Sequence, residues 1–161
     1  TARGFSSLCM AKALSDSKID GKICTFDVLP NNKKILWNSI TDHSLGSITR
    51  MRLLDDWKIL VDQYLIFIQG YSRHMLSKIS ISRIHFAFLD GAHTYQDVMF
   101  EFKKICAYQI KGDMIFFDDY NSQEFEGIVQ AINDIEKNFG YKINKILNEK
   151  FKRGYVIATK L

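Results

Sequence analysis

The sequence lacks a long apolar run, a paired arrangement of cysteines and a strong excess of charge of one sign. No apolar run approaches the roughly 18 residues that a membrane-spanning helix needs, so we expect no membrane partner. The three cysteines, Cys9, Cys24 and Cys106, are odd in number and widely spaced. This spacing is unlike a disulfide framework or a paired metal-binding motif, and it predicts a reducing, cytoplasmic location.

The charge balance gives little indication of a polyanionic partner. Lys and Arg number 22 against 18 Asp and Glu, which leaves a net charge of +4 scattered along the chain. The densest basic cluster, Lys150, Lys152 and Arg153, flanks Gly154 and is more typical of a solvated hairpin tip than of a nucleic-acid surface. We therefore expect no nucleic-acid partner.

Apolar residues are abundant in a chain of single-domain size. Hydrophobic residues make up 47% of the 161 residues and aromatic residues 13%, enough to offset the conformational entropy that folding removes. The length falls within the roughly 100–200 residues of one domain. The composition predicts a single compact domain over residues 1–161.

Two kinds of segment alternate along the chain. β-rich runs predict strands at Ile23–Val28, Tyr64–Gln69, Ile84–Leu89, Met114–Phe117, Lys142–Leu147 and Tyr155–Thr159. Apolar residues that recur every three or four positions predict helices at Ser6–Leu14, Ser47–Leu60, Ser72–Lys78, Tyr95–Tyr108 and Glu124–Asn138. This alternation predicts an α/β fold, a Rossmann-like doubly wound and mostly parallel sheet. No helix separates the last two runs, so they predict a C-terminal antiparallel hairpin.

Acidic residues follow three of the predicted strands. Asp27 lies at the end of the first strand, Asp90 follows the third, and Asp118 and Asp119 follow the fourth. Ligands of open α/β sheets bind at the carboxyl ends of the strands. We therefore expect four carboxylates along one rim of the sheet.

Asp27 has two interpretations. Nucleotide-binding α/β proteins place an acid after an early strand, where it accepts hydrogen bonds from the ribose hydroxyls. The alternative is a turn or cap aspartate before Pro30 and Asn31. The residue pattern leaves both interpretations open.

Asp90, Asp118 and Asp119 are candidates for a metal site. Three carboxylates at neighbouring strand ends repel one another, and a hard cation with oxygen ligands would relieve that repulsion; Mg²⁺ is the expected ion. The alternative is that these aspartates only cap the turns that follow the strands. The spacing does not decide between the two.

His93 lies three residues after Asp90, just before a helix that Thr94 could cap. Imidazole is the side chain that most often accepts a proton in catalysis, so His93 is a candidate general base beside a metal. A histidine that only makes a structural hydrogen bond is the alternative.

The motifs in these segments resemble a known family. The run FAFLDGAHTY at Phe86–Tyr95, GDMIFFDDY at Gly112–Tyr120 and the opening TARGFS resemble class I S-adenosylmethionine-dependent O-methyltransferases. The closest group is the metal-dependent branch that includes the macrocin and mycinamicin O-methyltransferases. The resemblance covers essentially the whole chain and implies the class I methyltransferase fold, a seven-stranded sheet that ends in an antiparallel hairpin.

The resemblance also implies roles for individual residues. The metal ligands would be Asp90, Asp118 and Asp119. The residues that bind the methyl donor would be Thr1, Ala2, Gly4, Asp27 and Asp90. His93 would be the catalytic base. The implied cofactors are S-adenosylmethionine and Mg²⁺.

The opening residues depart from the family pattern. The chain begins inside the donor-binding loop, so the family's first strand, its first acid and its first glycine are missing from this sequence. We therefore expect an N-terminally incomplete methyltransferase domain.

The expected reaction is methyl transfer from S-adenosylmethionine to a hydroxyl of a small molecule or sugar, with Mg²⁺ assisting. The segment Leu29–Gly46, with Trp37, is the expected contributor to the acceptor pocket, and homodimer formation stays open. One alternative is a non-catalytic binding or interaction domain that kept the fold. Another is a nicotinamide-dependent oxidoreductase, although the sequence has no GxGxxG motif after a strand.

Overall fold

The computed structural model describes residues 1–37, 46–148 and 153–161. The chain divides into two compact units, Thr1–Met75 and Leu76–Leu161, each with its own hydrophobic core. The single domain expected from the chain length stays a prediction. Lys150 and Lys152 of the basic cluster, and residues 38–45 of the expected acceptor segment, lie outside the described residues.

The first unit is built on two parallel strands and the helices that connect them. Its elements are α1 (Phe5–Asp16), β1 (Ile23–Asp27), α2 (Arg50–Leu53), a 3-10 turn (Asp55–Trp57), α3 (Lys58–Tyr64), β2 (Leu65–Gln69) and α4 (Ser72–Met75). Strands β1 and β2 pair in parallel, with Ile23 opposite Leu65 and Asp27 opposite Gln69. Ala11 of α1 and Val61 of α3 are buried in the core of this unit.

The helix expected over Ser47–Leu60 is divided in the structure. Thr49 caps α2, since its hydroxyl accepts a hydrogen bond of 3.1 Å from the amide of Arg52. The chain then passes through the 3-10 turn before α3 begins. Asp55 and Asp56 open this turn, and aspartate has a low helix propensity because its side chain competes for backbone hydrogen bonds. Apolar periodicity alone did not reveal this interruption.

The second unit is a four-stranded mixed sheet with two long helices. Its elements are β3 (Phe86–Leu89), α5 (Tyr95–Cys106), β4 (Met114–Phe117), α6 (Glu126–Asn138), β5 (Tyr141–Asn148) and β6 (Arg153–Lys160). The strand order is β3-β4-β6-β5. Strands β3 and β4 are parallel, whereas β6 runs antiparallel to both β4 and β5. The mixed α/β architecture and the C-terminal hairpin are therefore confirmed.

The core of the second unit lies between its two long helices and one face of the sheet. Phe102 and Ile132 are fully buried on these helices, at positions that the apolar periodicity predicts. They pack with Ile115 and Phe117 of β4. On the other face of β4, Phe116 is only half-buried and lies 5.3 Å from Phe88, centroid to centroid. Burial within this unit is therefore one-sided, although the run Met114–Phe117 is apolar throughout.

Within the described residues, no helix is both long and apolar enough to cross a membrane.

Candidate functional site

The first candidate site lies at the carboxyl end of β1, where Asp27 is almost buried. Its Oδ2 accepts hydrogen bonds from the amide of Ala2 and from Nη2 of Arg50, both at 2.7 Å. Its Oδ1 accepts a hydrogen bond of 2.9 Å from the amide of Leu29. The carboxylate is thus held by three donors, one of which is a charged guanidinium.

The opening turn places the other expected donor-binding residues of this unit beside Asp27. The amide of Gly4 donates to the carbonyl of Thr1 at 2.8 Å, and the Thr1 hydroxyl donates to the carbonyl of Phe26 at 2.9 Å. Gly4 has a φ of 93°, a left-handed conformation that glycine adopts at little cost. The structure therefore brings Thr1, Ala2 and Gly4 together with Asp27. Asp90, the fifth expected donor-binding residue, belongs to the second unit.

Arg50 is a central residue of this site that the sequence analysis missed. Its side chain is only 1% exposed, although arginine is rarely buried without a partner. Burial lowers the pKa of its guanidinium, and the neighbouring Asp27 carboxylate acts in the opposite direction. The sequence signal for Arg50 is a positively charged residue on the apolar face of a predicted helix. That pattern does not identify the carboxylate with which Arg50 pairs.

The second candidate site lies at the carboxyl ends of β3 and β4. Asp90, His93 and Asp119 each offer one ligand atom, and these three atoms lie within 4.8 Å of one another. Nε2 of His93 is 3.3 Å from Oδ2 of Asp119. This nitrogen is buried, yet it makes no hydrogen bond within the described part of the chain.

Asp118, the third expected metal ligand, is not a member of this group. Its Oδ1 accepts a hydrogen bond of 2.7 Å from the amide of Asp119, and its own amide donates to the carbonyl of Leu89 at 3.0 Å. Asp119 has a φ of 55°, which is uncommon for a residue other than glycine. The contacts of Asp118 thus stabilise the turn on which Asp119 lies.

The position of His93 depends on two residues that the sequence analysis did not select. The ring of Phe125 packs against the His93 imidazole, with 4.1 Å between the ring centroids. Gly127 allows α6 to approach the backbone of His93 and Thr94, because a Cβ atom there would lie 2.6 Å from the His93 carbonyl oxygen. Neither residue carries a chemical signal in the sequence, since both act through shape.

The second site fits a divalent cation. Two carboxylates that approach this closely repel each other unless a proton or a cation lies between them. A buried imidazole nitrogen without a hydrogen bond is costly, and a hydrogen-bond donor on a molecule that binds beside the cation would remove that cost. Carboxylate oxygens suit Mg²⁺ and Mn²⁺, whereas an imidazole ligand favours softer ions.

The architecture of the chain is similar to that of solved methyltransferases. An O-methyltransferase from Bacillus cereus in complex with S-adenosylhomocysteine gives a TM-score of 0.67 at 13% identity, over 99% of this chain and 71% of that chain. TomG from Streptomyces achromogenes is an O-methyltransferase of tomaymycin synthesis, solved in complex with S-adenosylmethionine. It gives a TM-score of 0.69 at 13% identity, over 99% of this chain and 70% of TomG. An rRNA methylase from Streptococcus thermophilus gives a TM-score of 0.62 at 14% identity, over 99% of this chain and 82% of that chain. These similarities concern the fold.

Sequence comparison assigns the family. No curated protein matches the chain. A family model described as a methyltransferase domain matches residues 1–120, a range that includes both candidate sites. The chain belongs to this methyltransferase domain family and has the class I methyltransferase fold.

Proposed function

We propose that the protein transfers a methyl group from S-adenosylmethionine to a hydroxyl oxygen of a small-molecule acceptor in the cytoplasm, with a divalent cation bound by Asp90 and Asp119. The observation that carries this proposal is the buried Nε2 of His93, which lies 3.3 Å from Asp119 and makes no hydrogen bond among the described residues. His93 is then the base that receives the proton of the hydroxyl.

The first unit supplies the contacts to the methyl donor. Asp27 is an acid at the end of a parallel strand, the position at which nucleotide-binding α/β proteins bind a ribose. The turn formed by Thr1, Ala2 and Gly4 lies beside it and includes two residues with positive φ. A tight turn of this kind lets a ligand approach the backbone closely. The family match and the solved complexes with S-adenosylmethionine support this choice of donor.

The second unit supplies the chemistry at the acceptor. A neutral imidazole whose Nε2 is unprotonated can accept a proton from a hydroxyl. Asp90 and Asp119 would hold a divalent cation, which would balance their charges and make a hydroxyl bound to it easier to deprotonate. We assign Asp118 to the support of the turn on which Asp119 lies, because its Oδ1 accepts a hydrogen bond from the amide of Asp119. The ligand role that the family resemblance implies for Asp118 stays a prediction. An acceptor with two neighbouring hydroxyls would suit a cation held in this way.

Two neighbouring aspartates provide a matched test of the cation site. In a thermal melt, Mg²⁺ or Mn²⁺ should raise the melting temperature of the wild type, and Asp119→Asn should abolish that rise. Asp118→Asn is the control, because asparagine keeps a side-chain oxygen that can accept the Asp119 amide. An equal loss of the cation response in both variants would restore Asp118 as a ligand. No response in the wild type would contradict the cation site.

The role of His93 is tested with methyl-labelled S-adenosylmethionine and a panel of catechols and glycosides that carry neighbouring hydroxyls. His93→Gln should lower turnover by roughly 10²–10⁴-fold and leave the cation response intact, because the base acts in proton transfer. If His93→Gln removes the cation response instead, His93 is a ligand and not the base. Methylation of ribosomal RNA but of no small molecule would contradict the proposed acceptor class.

A further inference from the structure

Arg50 joins three separate segments of the first unit. Its Nε donates to the carbonyl of Ala2 at 2.7 Å, and its Nη2 donates to Oδ2 of Asp27 at 2.7 Å. Its Nη1 donates to the side-chain oxygen of Asn31 and, at 3.4 Å, to the carbonyl of Leu29. One buried guanidinium therefore contacts the opening turn, the end of β1 and the loop that follows β1.

Two aromatic rings hold the guanidinium in this position. The central carbon of the Arg50 guanidinium lies 5.5 Å from the ring centroid of Trp37 and 6.0 Å from that of Phe67. Trp37 is itself buried, and its indole N–H donates to the carbonyl of Ile48 at 3.1 Å. A planar guanidinium stacks on such rings and still donates through its edge, which a lysine ammonium cannot do.

The contacts of Arg50 limit what Asp27 can accept from a ligand. An ionised carboxylate has about four acceptor positions. Ala2 and Arg50 fill the two positions on Oδ2, and Leu29 fills one on Oδ1. Within the described residues, the carboxylate therefore has one acceptor position left, on Oδ1.

We propose that Arg50 is a positioning residue for the methyl donor: it occupies Oδ2 of Asp27 and thereby leaves Oδ1 to accept a hydrogen bond from a single hydroxyl of the nucleoside. This inference rests on the proposed function, since it requires that Asp27 binds the donor. It assigns Arg50 an effect on donor affinity in addition to its effect on stability. It predicts that the two ribose hydroxyls contribute unequally to binding, because Asp27 has one acceptor position left for them.

Calorimetry with S-adenosylhomocysteine tests the role of Arg50. Arg50→Lys keeps the positive charge but cannot reach all of these acceptors, so we expect affinity to fall on the order of tenfold. Arg83→Lys is the control, because Arg83 also pairs with an aspartate, donating two hydrogen bonds to Asp113 in the second unit. The control should leave the affinity within about twofold of the wild type.

A double-variant cycle separates positioning from general destabilisation. If Arg50 acts through Asp27, Arg50→Lys should weaken binding much less in an Asp27→Asn background than in the wild type. Effects that add in the double variant, or a control that weakens binding as much as Arg50→Lys, would overturn the inference. Wild-type affinity in a folded Arg50→Lys variant would overturn it as well.

A measurement on the wild type decides the question even if Arg50→Lys fails to fold. The probes are 5′-methylthioadenosine and its 2′-deoxy and 3′-deoxy forms. Loss of affinity in one deoxy form only supports a single acceptor on Asp27, and an equal loss in both contradicts it. If the wild type binds neither S-adenosylhomocysteine nor 5′-methylthioadenosine, the proposed function fails. If the wild type binds and Arg50→Lys binds equally well, only the inference about Arg50 fails.

Discussion

Replacing Gly127 with alanine tests the close contact that positions His93. Gly127 lies in the first turn of α6, where alanine would ordinarily be more favourable than glycine by about 0.5–1 kcal/mol. Here the new Cβ atom would lie 2.5 Å from the amide nitrogen of Tyr95 and 2.6 Å from the carbonyl oxygen of His93. Ordinary contact begins near 3.4 Å, so the helix and the His93 segment would have to separate by about 1 Å.

The steric effect should exceed the gain in helix propensity. Both atoms belong to the backbone, so no side-chain rotation relieves the overlap, and overpacking of this kind costs about 1–3 kcal/mol. We expect a net loss in the free energy of unfolding of about 1–2 kcal/mol. The separation should also displace His93 and reduce the rise in melting temperature that a divalent cation produces.

Urea denaturation of both proteins measures this loss, provided that each unfolds in one transition. Gly21→Ala is the control, because a Cβ atom there would lie 3.7 Å from Leu14, an ordinary contact distance. That variant should match or slightly exceed the stability of the wild type. Equal or greater stability of Gly127→Ala would refute the reasoning, since it would show that α6 does not press against the His93 segment.

Two further substitutions test polar contacts of the second unit. The Tyr141 hydroxyl donates to Oε1 of Gln109 at 2.7 Å in a buried position, so Tyr141→Phe should lower the free energy of unfolding by about 1–3 kcal/mol by leaving that oxygen unpaired; unchanged stability in urea would contradict this. Hydrogen bonding by Arg83 lowers the pKa of Asp113. Arg83→Met should therefore have a lower free energy of unfolding than the wild type at neutral pH. That difference should shrink as the pH falls below about 3.9, through the depressed pKa of Asp113; a difference independent of pH in acid titrations would contradict this assignment.

Local patterns were enough to predict the alternation of strands and helices. Strand and helix periodicities depend on neighbouring residues, so Met114–Phe117 is found with the expected bounds and α5 begins at the expected residue, Tyr95. The hairpin was predictable because β5 and β6 are separated by a link too short for a helix. The place of β6 between β4 and β5 was not, because strand pairing across a sheet depends on contacts that are distant in sequence.

The aspartates at the strand ends also depend partly on local sequence and partly on tertiary structure. The sequence places an acid after each of three strands, because each strand's end can be recognised locally. It does not show which acids meet. Asp118 and Asp119 are chemically identical neighbours, and only the folded backbone distinguishes them. Asp119 has a positive φ and its carboxylate lies 3.3 Å from His93, whereas Asp118 accepts a hydrogen bond from the Asp119 amide.

The sequence by itself therefore determined the fold class, the family resemblance and the residue types available for chemistry. The tertiary structure decided which of those residues act together. Arg50 lies 23 positions from its partner Asp27, and the contact of Gly127 with His93 joins a helix to a loop from another part of the chain. Such pairs depend on the packing of whole elements, and packing depends on shape over long separations, which local periodicity does not contain.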